Sequence, residues 1–312
     1  MRLAIVIPCY NEEEVLPLTL PRLLQLLDDM AGRGLVDADS FVLCSNDGSK
    51  DATWDVIARA NAADKRVKGI SLAHNRGHQF ALLAGLEHVA DKCDAAISID
   101  ADLQDDPEAI VAMVEAFHRG NEIVYGVRSD RHTDTWFKRR TAHAFYRFQR
   151  RMGVDTVYDH ADYRLLSARA IEMLRQYGEA NLFMRGIIPQ LGLKSDVVRY
   201  ERKQRAAGKS KYPFRRMMDF AIDGITSFSS RPMRIIFQTG LLLLILDIAV
   251  ALYIFISYFG HPTISGWASI MLSIWFLGSI IIMSIGIVGE YVGKIFLEVK
   301  NRPRYYISDS ID

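Results

Sequence analysis

The stretch Ala95-Ala96-Ile97-Ser98-Ile99-Asp100-Ala101-Asp102-Leu103-Gln104 decides how this chain reads. Five small or apolar residues form a short buried strand, which ends abruptly on two carboxylates spaced i, i+2. Working outward, residues 3–7, 41–44, 67–72 and 123–127 are further short apolar runs that read as strands. Helical patterns separate them. Leu20, Leu23, Leu24 and Leu27 share one helix face, Asp51 can cap a helix carrying Trp54, Ile57 and Ala58, and residues 81–90 and 108–117 supply two more helices. Strand and helix in alternation predict an α/β fold, Rossmann-like, with a mainly parallel sheet covered on both faces.

Ligands of such sheets bind beyond the carboxyl ends of the strands. Polar clusters follow each predicted strand: Pro8-Cys9-Tyr10-Asn11-Glu12, Asn46-Asp47-Gly48-Ser49, His74 to Gln79, Asp100 to Gln104, and Arg128. Their convergence on one rim defines a site. Neither G-x-G-x-x-G after the first strand nor G-x-x-x-x-G-K-[ST] occurs, which disfavours dinucleotide-binding and P-loop proteins. His74, His78 and His143 have no metal-ligand spacing, and His78 and Gln79 are expected to cap the following helix or to touch a diphosphate. Asp-x-Asp at a strand end can turn both carboxylates toward one cation, and hard oxygen ligands suit Mg²⁺ or Mn²⁺ bridging to substrate phosphates.

The remainder of the chain has a different character. The whole is 24% charged, yet between Ile235 and Val292 only Asp247 and Glu290 carry charge. Residues 235–259 and 267–289 would extend about 37 and 35 Å as helices, enough for a hydrocarbon core of ~30 Å. The joining stretch 260–266 has no Lys or Arg, whereas Arg231, Arg234, Lys294, Lys300, Arg302 and Arg304 flank the outer ends. The positive-inside rule puts both ends, and the N-terminal domain, in the cytoplasm. Asp247, in mid-span, should face another helix or a subunit rather than lipid, which leaves a homo-oligomer open. Phe214, Met217, Met218, Ala221, Ile222, Ile225 and Phe228 form one apolar helix face suited to the membrane surface. The resulting division is 1–212 cytoplasmic α/β domain, 213–230 amphipathic juxtamembrane helix, 231–292 transmembrane hairpin and 293–312 cytoplasmic tail. The formal net charge of +1 argues against nucleic acid as a partner. Three cysteines without ligand spacing read as reduced thiols.

At these residues the chain resembles the family 2 glycosyltransferases of GT-A fold, and within them the polyprenyl-phosphate glycosyltransferases. The motifs that carry the resemblance are P-x-Y-N-E at residues 8–12, D-A-D-L-Q at 100–104, G-x-R at 126–128, Asp162-Tyr163-Arg164-Leu165, Arg205-x-x-Gly208-x-Ser210-Lys211, and the two spans. The resemblance implies that Pro8, Tyr10, Glu12, Asp47 and Arg76 hold a nucleotide-sugar donor. It implies that Asp100, Asp102 and Gln104 hold the divalent metal, that Arg128, Arg139, Arg205 and Lys211 hold the acceptor phosphate, and that Asp162 sits beside the sugar as a base. One position departs from the family pattern, D-D-G-S after the second strand, where this chain has Asn46 in place of the first Asp. The Q-x-x-R-W signature of processive synthases is absent, pointing to transfer of a single sugar.

The implied function is transfer of one sugar, UDP-glucose being the first expectation for the donor, to a polyprenyl phosphate at the cytoplasmic membrane face, with inversion. UDP-N-acetylhexosamine and GDP-mannose stay open as donors. A catalytically silent membrane scaffold is the rival from another class, and Asp100, Asp102 and Asp162 argue against it.

Overall fold

The computed structural model describes residues 1–128, 160–179, 182–201 and 266–312, together with isolated helical positions between 233 and 252. It divides into two compact units. The first combines the N-terminal region with the C-terminal residues 302–312, and the second includes residues 214–301.

In the first unit, β1 (Leu3–Cys9), β2 (Phe41–Asn46), β3 (Val67–Leu72), β4 (Ala95–Ser98) and β5 (Ile123–Arg128) fall where the apolar runs place them. They alternate with α1 (Leu16–Gly32), α2 (Thr53–Ala63), α3 (His78–Val89) and α4 (Ala109–His118). The remaining elements are β6 (His160–Ser167), α5 (Ala168–Arg175), α6 (Met184–Gln190), β7 (Ser195–Tyr200) and β8 (Ile307–Ile311). The sheet order is β7-β5-β6-β4-β1-β2-β3-β8. β1 pairs in parallel with β2 and β4, β2 with β3, and β5 with β7, while β6 runs antiparallel between β4 and β5.

Burial explains the strand pattern. Every residue of β1 and β2 is buried, as expected for strands covered on both faces. Leu16, Leu20, Leu23, Leu27 and Met30 of α1 join Leu3, Ile5 and Ile7 in one core. Cys9 and Cys44 are buried thiols, and all three cysteines are free.

Part of the stretch read as a C-terminal tail, residues 302–312, belongs to the first unit. Residues 307–311 add β8 antiparallel to β3, covering that edge of the sheet. Its alternation is short and its side chains mostly exposed, so no apolar run marks it.

In the second unit, α7 (Trp267–Val299) is one helix of 33 residues, extending past the predicted end of the second span. Within it, Phe276–Val299 is the one helix among the described residues long and apolar enough to cross a membrane. Ile282, Met283, Ile285 and Val299 expose most of their surface. The first predicted span, with Asp247, and the amphipathic helix at 213–230 lie mainly outside the described residues.

Candidate active site

The loops after β1 and β2 lock together. Asn11, with φ 56°, accepts the Lys50 N–H at 2.9 Å on its Oδ1, while its own N–H donates to Ser49 Oγ at 3.0 Å. The Glu12 N–H donates to Thr53 Oγ1 at 2.8 Å. This pinning leaves Tyr10 41% exposed at the mouth of the rim, where its ring is available for stacking. Pro8 is buried in β1. Asn46, the departure from the family pattern, is also accounted for. Its Nδ2 donates to Ser71 Oγ at 2.9 Å and its Oδ1 accepts the Ser49 N–H at 3.2 Å. An ionised aspartate could not donate, so this buried position suits the amide.

Asp47 is only 2% exposed. Its Oδ1 accepts the Arg76 N–H at 2.7 Å and its Oδ2 the Gly77 N–H at 2.8 Å. Burial raises its pKa despite those two donors. Asp47 therefore orients the 73–77 loop. Arg76 meets Asp47 through its backbone, and its side chain turns elsewhere, the Nε donating to Arg304 O at 2.7 Å.

Beyond β4 the chain turns sharply, with Leu103 at φ 47°, an unfavourable conformation for a branched residue that concentrates at functional sites. The turn brings Asp102 Oδ1 to within 3.2 Å of the Gln104 N–H. Asp100 is about half exposed, and its Oδ1 lies 3.0 Å from His78 Nε2. Two carboxylates on one tight, open turn fit a Mg²⁺ or Mn²⁺ ion whose remaining positions are filled by phosphate oxygens and water. No group of three His, Cys, Asp or Glu side chains forms a closed metal cage among the described residues. Gln104 is buried, 6% exposed. His78 and Gln79 do not cap α3. Gly77 stands at the N-cap without a side-chain bond, and Gln79 Oε1 accepts the Met184 N–H at 2.9 Å, tying the start of α6 to the start of α3.

That tie sets the surroundings of Asp162. Its Oδ1 and Oδ2 accept Nε and Nη2 of Arg185, on α6, at 3.1 and 3.0 Å, and Oδ1 also accepts Nη2 of Arg164. Burial alone would raise its pKa, but the Arg185 and Arg164 guanidiniums outweigh burial and hold the carboxyl well below the usual range. Arg164 is buried, and its Nε and Nη1 have no hydrogen-bond partner among the described residues. Arg185 was not singled out in the sequence, because a lone arginine at the start of a short helix carries no signal.

Arg128 is also engaged. Its Nε and Nη2 lie 3.3 and 3.1 Å from Oδ1 of Asp105, a buried carboxylate that also accepts the Tyr200 hydroxyl at 2.7 Å. Arg139, Arg205 and Lys211 lie outside the described residues. This geometry makes Arg128→Ala a poor probe of phosphate binding. Removing a partner from a buried pair leaves Asp105 uncompensated and costs about 3–5 kcal/mol. Arg128→Lys should keep the melting temperature near that of the unsubstituted chain and still raise the apparent constant for an anionic acceptor, because lysine keeps the charge and loses the fork. An unchanged acceptor constant in a stable Arg128→Lys protein would confine this arginine to its structural pair.

A mainly parallel α/β sheet whose D-x-D turn opens at the carboxyl end of the strand beside β1 is a GT-A-like arrangement. Residues 4–188 match the family model for glycosyl transferase family 2, and residues 231–295 that for the GtrB C-terminal hairpin. The chain belongs to glycosyltransferase family 2. It is 50% identical to the uncharacterized glycosyltransferase YkoT of Bacillus subtilis (strain 168), over 98% of this chain and 90% of that protein. It is 37% identical to the bactoprenol glucosyl transferase of Shigella phage SfX, over 98% of this chain and 99% of that one. Among solved structures it resembles glucosyl-3-phosphoglycerate synthase from Mycobacterium tuberculosis in complex with Mn²⁺, UDP and glucosyl-3-phosphoglycerate. That match has 17% identity and a TM-score of 0.41, and covers 72% of this chain and 77% of the other.

Proposed function

We propose that this chain transfers one glucosyl unit from UDP-glucose to a polyprenyl phosphate at the cytoplasmic face of the membrane, with inversion at the anomeric carbon. The observation that carries this reading is the open Asp100–Asp102 turn in a chain that also contains the exposed apolar helix α7. Full-length similarity to proteins named bactoprenol glucosyl transferase supports glucose and a polyprenyl acceptor.

In this reading Tyr10 stacks on the nucleobase, Pro8 and Glu12 shape the pocket around it, and the Asp47-held loop closes its side. Asp100 and Asp102, beside Gln104, would hold a Mg²⁺ or Mn²⁺ ion, which would supply positive charge to the leaving diphosphate. Arg128, with Arg139, Arg205 and Lys211, holds the acceptor phosphate in line behind the anomeric carbon, where positioning does most of the work. A phosphate monoester has largely lost its second proton by pH 7, its pKa being about 6. The acceptor therefore needs no strong base, and Asp162 acts by fixing Arg164 and Arg185.

The test is direct. Purified protein is supplied with polyprenyl phosphate, Mg²⁺ and a panel of UDP- and GDP-sugars, and lipid products are identified by mass. A single glucosyl addition from UDP-glucose is expected. Donor hydrolysis without lipid product, or no turnover with any donor, would overturn the reading.

The same reading places two spans in the membrane, at residues 235–259 and 267–289, with both ends cytoplasmic. A cysteine at position 263 should react with an impermeant thiol reagent applied to intact cells, and a cysteine at position 308 should not. The reverse pattern would invert the topology.

A further inference from the structure

Residues 300–306 carry the chain from α7 into β8, and three of them grip the catalytic unit. Arg304 Nη1 donates to Tyr177 O at 2.6 Å and Nη2 to Glu87 Oε1 at 3.1 Å, while the Tyr305 hydroxyl donates to Glu87 Oε2. The Arg304–Glu87 pair is largely buried, with side chains 18% and 14% exposed. The backbone of the same segment holds the loop before α3. Arg304 O accepts the Arg76 Nε–H at 2.7 Å, and Tyr306 O accepts the Ala73 N–H at 2.9 Å.

The opposite side of that loop faces the segment after β2. The Arg76 and Gly77 N–H groups donate to the two oxygens of Asp47. Gly48, at φ +61°, lies so close that a Cβ there would sit 2.8 Å from the His74 carbonyl carbon. The 73–77 loop is thus held between Asp47–Gly48 on one side and Arg304–Tyr306 on the other. Covering the β3 edge requires only residues 307–311, whereas the gripping contacts come before β8 and reach α3 and the loop.

We propose that Arg304–Tyr306 is a positioning strap for the donor pocket, locked onto α3 by Glu87. By fixing the 73–77 loop it sets the orientation of Asp47 and hence donor affinity. This rests on the reading above that Asp47 and its loop border the nucleotide. The physical basis is preorganisation: a loop held from both sides loses little freedom when the ligand arrives. The strap is also the stretch through which the chain passes from α7 into the catalytic sheet, so its setting is covalently continuous with the apolar helix.

The test uses the full chain in detergent with Mg²⁺, measuring UDP binding by calorimetry and transfer with donor and lipid varied separately. Arg304→Ala should raise the UDP dissociation constant and the donor KM roughly 10-fold, the loss of about one charge-assisted hydrogen bond's worth of ordering, and leave the KM for polyprenyl phosphate alone. Arg304→Lys should recover part of this, since an amine can meet Glu87 without also reaching Tyr177 O in the same fork. Should Arg304→Ala fail to fold, Tyr305→Phe decides. It keeps the ring, removes only the bond to Glu87, and should shift the donor constant in the same direction by a smaller factor. Folded variants that bind UDP as the unsubstituted chain does, or that shift donor and lipid constants equally, overturn the strap. An unsubstituted chain that binds neither UDP nor GDP overturns the donor reading itself, and the strap with it.

Discussion

Replacing Asp162 with asparagine should lower the melting temperature by on the order of 10 °C and leave the acid side of the pH–rate profile unchanged. Asp162 is the shared counter-ion of Arg164 and Arg185. Arg164 is 1% exposed and its Nε and Nη1 have no partner among the described residues, so Asp162 supplies its observed side-chain ion pair. An amide keeps the shape and removes the charge, leaving a buried guanidinium uncompensated beside a second one. Breaking such a pair costs about 3–5 kcal/mol, and each kcal/mol is worth about 2–4 °C in a domain of this size. The sign of the pH effect follows from the depressed pKa. A carboxyl held below its unfolded value of about 3.9 contributes stability that is fully present above that value and is lost as pH falls through the folded pKa. Between pH 5 and 8 Asp162 stays ionised, so neither stability nor rate should titrate with it. Calorimetry and kcat against pH check both halves. A wild-type acid limb that disappears in Asp162→Asn would restore this carboxylate as a general base.

Asp102→Asn should abolish measurable transfer while leaving the fold intact. Asparagine retains an oxygen for the Gln104 N–H, so the turn at Leu103 keeps its bond. What it loses is a ligand charge, and with it the coupling of a divalent ion to the diphosphate. Removing one group that stabilises charge developing in the transition state commonly costs about 10²- to 10³-fold in kcat. The loss should be accompanied by weaker Mg²⁺-dependent UDP binding and an unchanged melting temperature. Full turnover by Asp102→Asn in excess chelator would remove the metal from this site.

These two carboxylates show how differently a residue can be legible. Asp102 stands out because the strand before it is short and apolar and the turn is local, so its candidacy as a cation ligand is read from the i, i+2 spacing together with its place at the strand end. Asp162 is visible only through resemblance, and its two arginines arrive from β6 and α6. The resemblance implies that Arg128 is an acceptor ligand, while its pairing with Asp105 is visible only once the loop beyond β4 meets the end of β5.

The sequence by itself determined the alternating strands and helices, the rim on which the polar clusters gather, and the change from a charged domain to an apolar one. Those properties reside in local periodicity and in composition, which neighbouring residues settle among themselves. Only the tertiary structure decided that β6 inserts antiparallel between β4 and β5, that two guanidiniums take up Asp162, and that residues 304–311 return to contact the 73–77 loop and add β8. Each of these depends on groups brought together from different elements, Arg185 with Asp162 and Arg304 with Glu87 among them, whose pairing is selected by burial and hydrogen-bond satisfaction once the sheet has formed. No periodic pattern records a partner chosen that way.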